Sequence, residues 1–233
     1  MTKIILHQTW KNDTIPYNLF SKEWIDSWKK FNFDYMFWTD DDNRRLIRDF
    51  YPELLEIYDS YDKSVKRCDL ARYCMLDKFG GLYADLDCIG VNDYTKTLEE
   101  NSLVLTVEPV ENTMFSLGKM MLSNALMYSK PGHKFWSYVF KEALKREYRN
   151  TVAVIETGPA FLTRAHDAFV RDGNTALILG AETFLWSKIP GNKNLKDMEF
   201  KDGFKMSDKV FAIHIDNLSW NASSSNYLIY KYL

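Results

Sequence analysis

Lys66-Arg67-Cys68-Asp69-Leu70-Ala71-Arg72-Tyr73-Cys74-Met75-Leu76-Asp77-Lys78-Phe79-Gly80-Gly81-Leu82-Tyr83-Ala84-Asp85-Leu86-Asp87 carries the strongest local signals in the chain. Cys68, Ala71, Met75 and Phe79 recur as one apolar stripe, which predicts a helix over 63–79. Gly80 and Gly81 close it, because glycine takes the left-handed conformation that ends a helix. Leu82 to Asp87 then alternates as a strand does, with Leu82, Ala84 and Leu86 on one face and Tyr83, Asp85 and Asp87 on the other. Strand rise separates the two carboxylates by about 6–7 Å, within reach of one divalent cation directly or through water. Oxygen donors of this kind select Mg²⁺ or Mn²⁺, ions that also hold phosphate groups. Asp69 and Arg72 stand three apart on one helix face. They read either as a surface ion pair or as an acceptor and a donor for sugar hydroxyls.

Outward from this core, strands alternate with helices. Strands are expected at 3–9, 35–38, 103–107, 176–179 and 210–215, and helices at 19–30, 43–50, 133–148 and 159–170. This order implies an α/β fold with a mostly parallel central sheet flanked by helices. Ligands bind beyond the carboxyl ends of such strands, where Trp10, Asp40, Asp87 and His214 are expected. A D-x-D pattern alone is weak evidence. Asp40-Asp41-Asp42 is a second match and reads as a helix cap. Trp24 and Trp28, four apart, read as core, and His7 as structural at the end of the first strand.

The chain has 233 residues, 46% hydrophobic and 27% charged, which suits one domain with a sizeable core. Its net charge of -2 implies no broad attraction to nucleic acid. Cys68, Cys74 and Cys88 follow no zinc spacing and read as packing thiols. The apolar run at the start is too short for a signal peptide, and no run approaches a membrane span. The expectation is therefore a cytoplasmic protein, with the sequons at Asn12, Asn217 and Asn221 as chance matches.

Ile4-Ile5-Leu6-His7-Gln8-Thr9-Trp10-Lys11, Phe37-Trp38-Thr39-Asp40, the Cys68–Tyr73 block and Gly80 to Asp87 together resemble the DXD-containing sugar-binding region of glycosyltransferase family 32. The large clostridial glucosylating toxins are similar at greater distance. The resemblance is densest over 3–90 and continues loosely through Thr157-Gly158-Pro159 and His214 to Trp220. It implies a GT-A (Rossmann-like) nucleotide-sugar-binding fold over 1–233, a UDP- or GDP-hexose donor, Mn²⁺ or Mg²⁺, and retention of anomeric configuration. The acceptor would be a glycan, lipid or protein. By position, Asp87 would bind metal, and Asp85 the ribose and metal-bound waters. Asp69 and Arg72 would hold the donor sugar, and Trp10 would lie against the nucleobase. His214 would complete the metal shell and Trp220 would close over the pyrophosphate. Cys68 departs from the family's usual Ser, which weakens any hydrogen bond made there.

Two other functions fit parts of the pattern. Asp85-Leu86-Asp87-Cys88 also resembles the nucleophile strand of haloacid-dehalogenase-type phosphatases, but there the motif usually lies on the first strand. A non-catalytic nucleotide-sugar-binding module would share the pocket but would tolerate loss of one aspartate.

Overall fold

The structure is a computed structural model that describes residues 3–116, 119–145, 147–188 and 198–215. Among these residues, six strands form the main sheet in the order β2-β1-β3-β6-β5-β7. They are β1 (Ile5–Thr9), β2 (Asp34–Trp38), β3 (Gly81–Ala84), β5 (Leu103–Val107), β6 (Leu122–Ser129) and β7 (Leu177–Leu179). Strands β1, β2 and β3 pair in parallel, as do β5 and β7, while β6 runs antiparallel between β3 and β5. A second sheet, in the order β4-β9-β8, is made of β4 (Cys88–Gly90), β8 (Phe184–Trp186) and β9 (Ala212–His214).

Helices α2 (Asp40–Phe50), α3 (Pro52–Ser60), α4 (Ser64–Phe79), α6 (Phe135–Ala143) and α8 (Pro159–Arg171) supply the main core with β5 and β6. Three short helices, α1 (Lys22–Asp26), α5 (Thr95–Glu100) and α7 (Ala153–Glu156), complete the set among the described residues. The α/β order expected from the sequence is present, with four differences. The segment 19–30 is not one helix: α1 gives way to a 3₁₀ turn at Ser27–Lys30. Trp24 and Trp28 are nonetheless buried at 2% exposure each, as core residues. The expected helix over 133–148 is shorter, from Phe135 to Ala143. Helices α3, α5 and α7 and strands β6 and β8 were not anticipated. Finally, the strand expected over 82–87 ends at Ala84, and β4 belongs to the other sheet.

Thr39 caps α2 through a reciprocal capping box with Asp42, so the cap reading of the Asp40-Asp41-Asp42 run holds at its third residue. The turn from α4 to β3 depends on two glycines at positive φ, Gly80 at 64° and Gly81 at 99°. His7 locks this turn. Its Nε2 donates to the Gly80 carbonyl at 2.8 Å, and its Nδ1 accepts from Trp38 Nε1 at 3.1 Å. Burial pushes the His7 pKa down to about 4, against the opposing effect of the Gly80 bond. The ring is therefore neutral and structural, as read from the sequence. No helix among the described residues is long and apolar enough to cross a membrane.

A Cβ at Gly81 would stand 2.4 Å from the Ile5 carbonyl oxygen. Gly81→Ala is expected to cost about 2 kcal/mol or more, from backbone strain and collision with a main-chain atom. A urea titration followed by circular dichroism checks this. A midpoint equal to that of the parent would contradict it.

Candidate functional site

The site gathers where α4 meets the carboxyl ends of β1 and β3. On α4, Asp69 and Arg72 are 4% and 5% exposed, which excludes a surface ion pair. Arg72 Nη2 lies 3.2 Å from Asp69 Oδ1, and Nη1 lies 3.2 Å from Asp85 Oδ1. Nη1 also donates to the Asn124 carbonyl at 2.9 Å. The guanidinium lies over the Tyr83 ring, 4.5 Å from its centroid. Burial alone would lower the Arg72 pKa, but Asp85, Tyr83 and Asp69 outweigh it and hold the group charged. One donor is left over: among the described residues, the buried Arg72 Nε has no hydrogen-bond partner. Buried donors without partners are rare in folded proteins, and such a group invites a ligand oxygen.

Asp69 is held from both sides. Asn124 Nδ2 donates to Oδ1 at 2.9 Å and the Thr157 hydroxyl donates to Oδ2 at 2.7 Å. Neither partner was singled out for this role from the sequence. Asn124 sits where the β5–β6 register slips: Leu105 faces Met127, but Thr106 faces Ser123. Such a bulge re-aims side chains, and bulges recur beside active sites. The only sequence signal for it is the polar Ser123-Asn124 pair inside an apolar run. Thr157 is brought in by α7. Lys66 on α4 reaches Glu156 with Nζ to Oε2 at 2.5 Å, and Tyr73 donates to the Thr157 carbonyl at 2.7 Å.

The acidic pair is not a strand face. After Ala84 the chain turns, with Cys88 N donating to the Asp85 carbonyl at 2.9 Å, and enters β4. The physical reason lies with Leu86 and Trp28. Leu86 is buried against Ile89, Leu185 and Ile213 of the second sheet. Trp28 Nε1 donates to the Cys88 carbonyl at 3.0 Å. Apolar-polar alternation continues through the turn, but the hydrogen-bond ladder passes from one sheet to the other. The turn still brings the acids to one place. Asp85 accepts the Tyr83 hydroxyl at 2.7 Å. His214 Nε2 lies 3.4 Å from Asp87 Oδ1 and 4.0 Å from Asp85 Oδ2.

His214 was expected at a main-sheet strand end. It instead ends β9 of the second sheet, paired with Cys88 and with Trp186, and its ring lies tilted against that of Trp186, 4.0 Å between centroids. Octahedral Mg²⁺-type coordination places neighbouring ligand atoms about 3 Å apart. Asp87 and His214 approach that spacing, with Asp85 at the rim, and the two carboxylates are donors of the kind that Mg²⁺ and Mn²⁺ take. Cys88 Sγ is close enough to join such a cluster. However, burial pushes its thiol pKa well up, and it points to the Ala125 carbonyl at 3.7 Å. It is also a soft donor, so it reads as packing.

Trp10 follows β1, half-buried, with its ring edge-on to Phe20 at 5.0 Å and Lys11 Nζ 5.4 Å from its centroid. Asp40 begins α2 next to it, with its backbone N–H on the Lys11 carbonyl. Burial raises the Asp40 pKa, and Cys68 Sγ lies 3.8 Å from its Oδ1. The three cysteines are free. Trp220, and with it the expected closing segment after residue 215, lies outside the described residues.

Residues 18–104 match the family described as a glycosyltransferase sugar-binding region containing a DXD motif. Over that stretch the chain is similar to the DXD-containing glycosyltransferases. The match spans Asp69, Arg72, Asp85 and Asp87, and leaves Asn124, Thr157 and His214 beyond it. The chain is 28% identical to inositol phosphoceramide mannosyltransferase 3 of Schizosaccharomyces pombe, over 97% of this chain and 58% of that protein. It is 25% identical to mannosyl phosphorylinositol ceramide synthase CSH1 of Saccharomyces cerevisiae, over 96% and 54% respectively. It thus spans a little over half the length of these curated relatives. The solved structure of the PaToxG glycosyltransferase is similar in fold, with a TM-score of 0.50 at 14% identity, covering 72% of this chain and 70% of that one. The GT-A-like fold expected from the sequence is therefore present.

Burial raises the Asp69 pKa to about 6, against the opposing effects of Arg72 and the Thr157 bond. A carboxyl that binds its proton more tightly when folded stabilises the fold in acid. That contribution is lost as pH rises from about 4 through about 6. Thr157→Val removes a bond that favours the ionised form, so the Asp69 titration should move further up. Carboxyl-carbon NMR of the two proteins checks this, and a titration unchanged or moved down would contradict it.

Proposed function

We propose that this chain is the catalytic part of a metal-dependent retaining glycosyltransferase. It would move a hexose, with mannose the first candidate, from a UDP- or GDP-linked donor to an acceptor. The observation that carries this is the buried Arg72, set between two carboxylates with one donor left for a ligand beside the Asp85–Asp87 turn. The names of the relatives support a phosphoinositol-bearing sphingolipid as acceptor. The similarity to glycosyltransferases favours this reading over the phosphatase alternative.

A divalent cation held by Asp87 and His214, with Asp85 through water, would neutralise the diphosphate leaving group. The residues of the chain do the rest. Asp69 accepts hydrogen bonds from donor-sugar hydroxyls, using lone pairs not taken by Asn124 and Thr157. Arg72 Nε donates to a donor oxygen near the breaking bond and stabilises the negative charge that develops there. Tyr83 and Asp85 keep the guanidinium in place, so no reorganisation is needed during the reaction. Trp10 offers its ring to the nucleobase. The acceptor hydroxyl attacks from the leaving-group side, and a phosphate oxygen takes its proton. Trp220 is proposed to close over the pyrophosphate.

The test is a panel of nucleotide sugars with Mn²⁺, read by thermal shift and by metal-dependent donor hydrolysis. At least one donor should stabilise the protein and be turned over. Asp87→Ala should lose metal-dependent donor binding and lower turnover by at least 100-fold while the protein stays folded. Arg72→Ala should cut turnover comparably with little change in affinity for the free nucleoside diphosphate. Full turnover by Asp87→Ala, or in excess EDTA, would overturn the proposal. A non-catalytic module would bind a donor and never turn it over.

A further inference from the structure

The far end of the main sheet's carboxyl edge holds a second polar group that the chemistry above does not use. Strands β3 and β5 both run antiparallel to β6 and so share a direction. Glu108, just beyond the end of β5, therefore leaves the sheet on the same edge as Asp85. One strand lies between them, so their backbones are about 10 Å apart.

Glu108 is buried, and its Oε2 accepts from Asn112 Nδ2 at 2.8 Å. Asn112 Oδ1 accepts from Lys201 Nζ at 3.1 Å. Lys201 Nζ lies 5.6 Å from the centroid of the Trp186 ring. Trp186 packs tilted against His214, whose Nε2 is 3.4 Å from Asp87. A continuous wall thus runs from the end of β5 to the acidic turn, and it includes no residue of α4.

The turn that carries Lys201 is strained. Asp202 takes a φ of 59°, a conformation unusual for a residue with a side chain. Two reciprocal bonds hold it there. Val110 N donates to Asp202 Oδ1 at 3.1 Å, and Asp202 N donates to Glu111 Oε1 at 3.2 Å. Backbone strain of this kind persists where the surroundings over-determine it, and it clusters at functional sites.

We propose that Glu108, Asn112 and Lys201 form the acceptor subsite, for a head group that carries both ring hydroxyls and a phosphate. The proposal rests on the glycosyl-transfer function above. In transfer with retention the acceptor hydroxyl comes in beside the leaving diphosphate, so the acceptor must lie next to the Asp87–His214 cluster. The wall begins there. Asp69 and Arg72 are committed to the donor sugar on the α4 side. A carboxylate and an amide suit hydroxyls, and an ammonium suits a phosphate.

The test uses myo-inositol 1-phosphate as the probe, titrated by NMR into the full chain loaded with Mn²⁺ and the nucleoside diphosphate that binds best. Inorganic phosphate serves as a second probe. Wild-type protein should bind the inositol phosphate saturably and more tightly than phosphate alone. Lys201→Met should weaken both probes at least tenfold. Glu108→Gln and Asn112→Ala should weaken the inositol phosphate at least fivefold and phosphate little. Nucleoside diphosphate affinity should stay within twofold in all three. If Glu108→Gln does not fold, the partly exposed Asn112 and Lys201 carry the test. No saturable binding of the inositol phosphate, or an equal loss of nucleotide affinity in the variants, would overturn the subsite. A wild-type chain that binds no nucleotide at all would instead strike the function proposed above.

Discussion

Arg72 is a full positive charge with about one-twentieth of its surface exposed, and a charge so placed persists only where opposite charges and hydrogen-bond acceptors surround it. Asp69 comes from its own helix, Asp85 from the end of β3, the Asn124 carbonyl from β6, and the aromatic face from Tyr83. Four requirements meet at one guanidinium. Helix α4 must lie across β3 at a fixed height, which the two-glycine turn and the His7 lock enforce. Strand β6 must neighbour β3, and it must bulge so that the residue at 124 turns toward the helix. The acidic turn must begin directly after Ala84. Together these features are the surroundings this charge requires.

The α4–β3 unit was legible because its signals are local: a helical stripe, two glycines and a short apolar strand. The burial of Asp69 and Arg72 was not, since a pair three apart on a helix looks the same in solvent and in a core. Asp85 and Asp87 were placed together for a mistaken reason. Period-two alternation runs on through Leu86, although Leu86 anchors a turn into a second sheet. Strand β6 was missed because it is buried on both faces, so its sequence shows no alternation. Asn124 and Thr157 meet Asp69 across 55 and 88 residues, and no single-sequence pattern encodes such a contact. His214 was placed at a strand end by periodicity and given a metal role only through resemblance, and its pairing with Cys88 depends on a strand that periodicity assigned to the main sheet.

The two sheets divide the work around the cleft. The main sheet and α4 fix the charged floor. The second sheet supplies His214 and Trp186 and, through Phe200, the turn that carries Lys201. Leu86 joins them, because its side chain is buried in the second sheet's core while the acids on either side of it reach Arg72 and His214. A substitution that loosened Leu86 would therefore disturb the relation between Arg72 and His214 without touching either.

The placement of β6 also has a consequence for how the chain acquires its shape as it emerges from the ribosome. Strands β1, β2 and β3 are complete once 84 residues have been made, but the open side of β3 has no neighbour until residues 122–129 follow. Strand β5 emerges between them and also lacks a central partner until then. For some forty residues of synthesis the nascent chain therefore carries the unpaired β3 edge, joined over roughly the last twenty by β5, both rich in apolar side chains, a condition that favours association with other chains. The antiparallel strand is thus the keystone of assembly as well as of the site, and chaperone binding to nascent chains should be greatest in that interval.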